Sequence, residues 1–150
     1  MKVRVLGCSG AIARDCRTTS FLVNHNILID AGTGVGDLTL EEMRQIDHVF
    51  LTHSHLDHIA ALPLMLDAVS SLRSQPVQVH APAATISVLQ SHVFNNIVCP
   101  VFSCFPSAKS PTLRYIPMAV GETVPPLGVT DRAMLTVPRV PATGVFILGP

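Results

Sequence analysis

Three of the seven histidines in this 150-residue chain, with one aspartate, fall within six residues as His53, His55, Asp57 and His58. They follow directly on the apolar run Val49-Phe50-Leu51 and on Thr52. A strand ending at Leu51 releases the chain into a loop, where His53 and His55, two residues apart, can turn their imidazoles to one ion. Asp57 and His58 then face a second. Neutral imidazole and carboxylate suit zinc, manganese or iron, and supplying both donor types to adjacent ions is typical of a hydrolytic centre. The competing reading is a polar loop that happens to be rich in histidine. It accounts less well for an acid in this register behind a buried-looking strand.

The elements that must position this loop are readable from period and punctuation. Residues 2–6 alternate polar and apolar as a half-buried strand does, and 20–24 with 27–30 read as a hairpin turning at His25-Asn26. Thr39 with Glu42 is a capping-box pattern and predicts a helix over 40–45. A strand over 48–51 leads into the histidines. Ile59, Leu62, Leu66 and Val69 are spaced for a helix with one buried face; started just after His58, it would aim its N-terminus at the loop and favour a phosphate there. A buried strand is expected over 77–80, with His80 packing at its end, and a helix over 83–93 with Pro82 near its start. Nine of the twelve prolines lie from Pro100 onward. The last third should therefore be loop with short strands near 113–116, 134–137 and 145–148.

Several stretches together carry a family resemblance. Cys8-Ser9-Gly10, Thr18-Thr19-Ser20-Phe21-Leu22-Val23, Ile29-Asp30-Ala31-Gly32-Thr33-Gly34 and the run from Phe50 to Leu62 frame a His-x-His-x-Asp-His signature. The signature resembles that of the metallo-β-lactamase superfamily, and the surrounding text resembles its class II 3′,5′-cyclic-nucleotide phosphodiesterases. The resemblance implies an α/β (α+β) fold, an αββα sandwich of which this chain would be the N-terminal half to two-thirds. It implies two divalent ions, most naturally zinc, with His53 and His55 on the first and Asp57 and His58 on the second. Asp57 would also orient the attacking water or help move its proton, which makes it the catalytic candidate. Asp30 would hold the metal loop by accepting hydrogen bonds rather than by binding metal. Its glycine-rich sequel is a turn close to the site and no phosphate loop, since no Lys-Ser or Lys-Thr pair follows. No substrate-binding residue is identified, and the stretch from Phe94 to Phe102 lacks the tryptophan and aspartate usual in the family.

The implied activity is metal-assisted hydrolysis of a phosphodiester, with cyclic AMP as the substrate the resemblance suggests. Two alternatives stand beside it. The fold could serve another hydrolase, an RNA 3′-end nuclease or a thioesterase or lactonase, or it could be a non-catalytic pseudoenzyme or interaction module. The third ligand of the first ion bears on this choice, for no histidine follows His92. The resemblance implies a third histidine where Pro138, or Leu135 in another alignment, stands, and it implies a bridging aspartate and a last histidine in a later segment expected to lie beyond Pro150. The visible site is half a site.

Bulk properties agree with an incomplete single domain over 1–150. Only 13% of residues are charged and 48% are apolar, with mean hydropathy +0.45, where soluble domains carry about 25% charge. Some apolar surface should be covered, by further chain or by a second copy in a homodimer. The longest apolar stretch holds Pro63 and stops at Asp67, too short to span a bilayer, and the N-terminus lacks an apolar signal core. A cytoplasmic protein with free thiols at Cys8, Cys16, Cys99 and Cys104 is expected. Net charge is zero and the ten basic residues are dispersed, so a nucleic-acid partner is not expected.

Overall fold

The computed structural model describes residues 1–119. The strands expected near 134–137 and 145–148, and the positions Leu135 and Pro138, lie outside them. β1 (Val3–Gly7), β2 (Ser20–Val23) and β3 (Ile27–Ile29) form the antiparallel meander that the hairpin signals predict. A 3-10 turn (Thr33–Asp37) and α1 (Leu40–Arg44) lead to β4 (His48–Phe50). α2 (Leu56–Ile59) and α3 (Leu62–Val69) follow, then β5 (Val77–Pro82) and α4 (Ala83–Val88). A small hairpin of β6 (Pro106–Ser107) and β7 (Ser110–Pro111) precedes β8 (Leu113–Met118).

The main sheet has the order β1-β2-β3-β4-β5-β8, and β3, β4, β5 and β8 are parallel. Parallel neighbours require crossovers of one hand, which lay their helices on one face of the sheet. The larger core forms there: Leu28, Val49 and Val79 point from the strands onto Leu62, Met65, Leu66, Ile86 and Leu89 of the helical layer. The opposite face is also apolar, with Val23, Ile27, Ile29, Phe50 and Met118 in a second cluster. Register extends that face to the edge, since Val3 and Val5 lie opposite Val23 and Phe21. A sheet apolar on both faces is the mixed α/β sandwich layer that the resemblance implies.

The alternation in β1 is real but runs opposite to a half-buried strand. Val3 and Val5 are 51% and 59% exposed, while Arg4, on the helical side, pairs with Glu42 of α1. The capping box forms as spaced: Glu42 N–H donates to Thr39 Oγ1 at 3.2 Å and Thr39 N–H to Glu42 Oε2 at 2.8 Å. These two bonds satisfy donors that the first helical turn leaves without partners.

Two helices differ from their expected limits. Helix formation starts at Leu56 rather than after His58, so Asp57 and His58 belong to a helical turn instead of a loop. An acid in a first turn is favourable, and Pro63 then opens α3 as a separate helix. Ile59, Leu62, Leu66 and Val69 are all buried, as their spacing predicts. Because α2 is only four residues long and carries the Asp57 carboxylate in its first turn, the expected phosphate attraction at a helix N-terminus does not arise. The helix predicted over 83–93 changes at Leu89 into one wide π turn (Leu89–Val93), closed by Phe94 N–H donating to Leu89 O at 2.8 Å. The extra residue brings both Leu89 and Phe94 into the core.

Candidate metal centre

β3, β4 and β5 run parallel, so their carboxyl ends share one edge of the sheet, which is where open α/β sheets place their sites. Asp30 follows β3 at that edge and Thr52 leaves β4 beside it. Asp30 takes φ 54, in the left-handed region that aspartate tolerates better than most residues. Its N–H donates to Phe50 O at 2.8 Å, and the turn buries its carboxylate against the start of the histidine loop. Thr52 N–H donates to Asp30 Oδ1 at 2.8 Å, and Thr52 Oγ1 lies 3.1 and 2.9 Å from Oδ1 and Oδ2. His58 Nδ1 donates to Oδ2 at 2.7 Å. Asp30 therefore accepts hydrogen bonds from both ends of the segment that carries the candidate ligands.

The backbone behind the loop is packed without spare room. Ala31 N–H donates to His58 O at 2.7 Å and Ala61 N–H to Ala31 O at 2.8 Å, clamping the C-terminal end of α2 and the residue that leads into α3 to the residue after Asp30. Gly32 comes so close that a Cβ there would stand 2.5 Å from Asp57 O and 2.4 Å from Thr18 Oγ1. The glycine permits the close approach that its position after the strand suggests.

The imidazoles of His53, His55 and His58 gather above this platform. Ring centroids are 4.1 Å apart for His53 and His58 and 4.6 Å for His53 and His55. His55 is exposed as the N-cap of α2, and Asp57 Oδ2 reaches to 3.4 Å from His58 Nε2. All four residues predicted from spacing are thus brought together, with Asp30 beneath them. Thr52 was assigned no role by spacing, yet it touches Asp30, His53 and His58; the available signal was a hydroxyl residue directly before the first histidine.

Charge balance divides the histidines. Burial, followed by the neighbouring His58 and His55 charges, holds His53 below the ordinary histidine range, so it is neutral near pH 7 as a ligand must be. The hydrogen bond to Asp30 raises His58, with burial opposing and the charges of Asp30 and Asp57 assisting. A folded-state value raised above the unfolded one stabilises the chain fully below about pH 6.5. That contribution is lost as pH rises through the higher folded value. The metal-free chain should consequently show a falling urea midpoint from pH 6.5 to 8.5, and Asp30→Asn should flatten the fall. A midpoint that rises over this range would contradict the pairing.

As metal donors these residues fit in kind. Nδ1 of His58 is engaged by Asp30 and Nδ1 of His53 by Thr52 Oγ1 at 2.9 Å, which turns the Nε2 atoms away from those partners, that of His58 lying beside the Asp57 carboxylate with which it would share an ion. Among the described residues, however, no group of three His, Cys, Asp or Glu side chains is arranged to hold an ion unaided. Cys8 and Cys16 add nothing to the set. Cys8 lines a separate polar cavity of about 380 Å³ with Ser9, Arg14 and Arg17, and all four cysteines are free thiols. His80 packs as its position in β5 suggests, stacked on Phe50 at 4.3 Å and 3.1 Å from His48 Nδ1 through Nε2.

The sequence model of the family described as beta-lactamase superfamily domain matches residues 25–143, well over half the chain. The chain belongs to the metallo-β-lactamase superfamily. A ribonuclease Z from Haloarcula marismortui is 33% identical over 113 residues, which is 68% of this chain and 35% of that protein. Other curated relatives that match carry the same name. The chain spans about a third of the length of the curated relatives it matches. Among solved structures, the metallo-beta-lactamase fold protein YhfI from Bacillus subtilis has 20% identity and a TM-score of 0.69, covering 95% of this chain and 56% of that one. Yeast PDE1 has 15% identity and the same TM-score of 0.69, covering 95% and 59%. Both likenesses establish the shared fold. The relatives named for a ribonuclease run against the expectation of no nucleic-acid partner. No described helix is long and apolar enough to cross a membrane.

Proposed function

We propose that the chain carries the metal-binding part of a phosphodiester hydrolase acting on a 3′,5′-cyclic nucleotide. The observation that supports this most is the cluster of His53, His55, Asp57 and His58 at the carboxyl edge of the sheet, held by one buried aspartate. His53 and His55 would hold one divalent ion, and Asp57 with His58 a second. Such ions, zinc by preference, supply Lewis-acid polarisation of a phosphoryl oxygen and lower the pKa of water. The protein's part is to fix the imidazoles through Asp30 and to take up a proton at Asp57 Oδ2, a carboxylate whose side chain is 33% exposed and open to an attacking water. Further donors must complete the shell.

The substrate class follows from the sequence resemblance and from charge. A net charge of zero with dispersed basic residues offers little to the phosphates of a polynucleotide, whereas a single cyclic phosphodiester demands no extended basic surface. A second reading, hydrolysis at RNA 3′ ends, is favoured by the name shared by the sequence relatives. With those further donors completing the shell, the zinc- or manganese-loaded site should convert cyclic AMP to 5′-AMP and leave RNA with a 3′ extension, a thioester and a lactone intact. Cleavage of RNA alone would establish the second reading. Binding of metal with no hydrolysis of any of the four would indicate an interaction module.

A further inference from the structure

Thr52 has contacts that its bland reading, a loop residue capping the end of a strand, does not require. Its hydroxyl lies 3.1 and 2.9 Å from the two oxygens of Asp30, 2.9 Å from His53 Nδ1 and, at the limit of a hydrogen bond, 3.5 Å from His58 Nδ1. A hydroxyl has one proton to donate and lone pairs to accept with. An ionised carboxylate can only accept, so the contact with Asp30 is favourable only if the proton points to it. Oγ1 must then accept from His53, which requires the proton of that imidazole to sit on Nδ1. His58 reaches the same state directly, since its Nδ1–H donates to Asp30 Oδ2 at 2.7 Å.

We infer that Thr52 is a positioning residue whose hydroxyl relays the hold of the Asp30 carboxylate to His53, so that one buried aspartate fixes two imidazoles as Nδ1–H tautomers presenting Nε2. The assignment deepens the metal-centre reading and rests on it for its purpose, although the tautomer itself exists without metal. Which ring nitrogen is free is set by the hydrogen bond the other one makes. Outer contacts of this type change metal affinity by roughly 10- to 100-fold when removed. The backbone bond from Thr52 N–H to Asp30 Oδ1 at 2.8 Å does not depend on the side chain. Thr52→Val keeps the shape and that bond while deleting the relay.

Nitrogen-15 NMR of the histidine rings in the full chain, freed of metal by a chelator, reads the tautomers directly. Wild type should show His53 protonated at Nδ1. Thr52→Val should shift His53 toward the Nε2–H form while His58, held directly by Asp30, keeps its proton on Nδ1, weaken zinc binding about 10- to 100-fold in competition with a chromophoric chelator, and leave the far-ultraviolet circular dichroism intact. Thr52→Ser should restore both tautomer and affinity, and it carries the test if the valine variant does not fold. A wild-type His53 carrying its proton on Nε2 would overturn the inference, as would a folded Thr52→Val with unaltered tautomer. If wild type binds no zinc while the tautomers behave as stated, it is the metal-centre reading that fails and the relay that stands.

Discussion

Replacing Asp30 by alanine should lower the unfolding free energy by about 3 to 5 kcal/mol, a large part of the roughly 5 to 15 kcal/mol that holds a domain folded. The carboxylate accepts from Thr52 N–H, Thr52 Oγ1 and His58 Nδ1 in a position 2% exposed. Buried donors left without an acceptor cost about 1 to 3 kcal/mol each. Alanine also inherits φ 54 without the local hydrogen bonds by which aspartate tolerates it. Asp30→Asn keeps an acceptor and tolerates the conformation, so its loss should be smaller. Asp30→Gly removes the backbone cost and isolates that of the missing acceptor. Urea unfolding of the three variants orders them if the argument is right. An alanine variant as stable as wild type would show that the carboxylate does not anchor the loop.

Gly32→Ala should be nearly as damaging although it adds a single methyl group. The new Cβ would meet Thr18 Oγ1 at 2.4 Å, Asp57 O at 2.5 Å and the Thr18 carbonyl carbon at 2.6 Å. Two of these are backbone atoms, and Asp57 O belongs to α2, so relief requires moving the turn that carries Asp57 and His58 or the backbone at Thr18. Overpacking typically costs about 1 to 3 kcal/mol; here the upper end is expected, together with a loss of zinc affinity that a remote overpacked site would not produce. Gly36→Ala is the control, because a Cβ there meets nothing within 4 Å, and its effect should stay within about 0.5 kcal/mol. Thermal unfolding with parallel zinc titration distinguishes the two. Equal behaviour of the two variants would mean that the loop is not wedged against Gly32.

Where local chemistry decides an element, the sequence was sufficient. The Thr39 and Glu42 box, the hairpin around His25-Asn26 and the buried stripe of Ile59, Leu62, Leu66 and Val69 each rest on contacts within a few residues, and each forms. Where tertiary contacts compete, it was not. β1 presents its valines outward because its inner face is taken by the Arg4 and Glu42 pair and by Leu6, a partnership invisible in five residues of alternation. α2 begins early, and its C-terminal end is held by Ala31, which bonds His58 and Ala61 across the chain, contacts the segment's own sequence does not show. The wide turn at Leu89 answers the demand of Phe94 for the core, which periodicity alone cannot express. At the site, spacing brings out the four candidate ligands, and the resemblance adds Asp30. Thr52 escaped because its role depends on which proton points where, a matter of three-dimensional neighbours.

Elemental analysis of the purified chain after exposure to zinc and removal of excess tests most directly whether the loop after β4 is a metal centre. Wild type should retain at least one ion per chain, and a His53→Ala, His58→Ala double variant should retain none. Equal metal content in the two, at whatever level, would contradict the account.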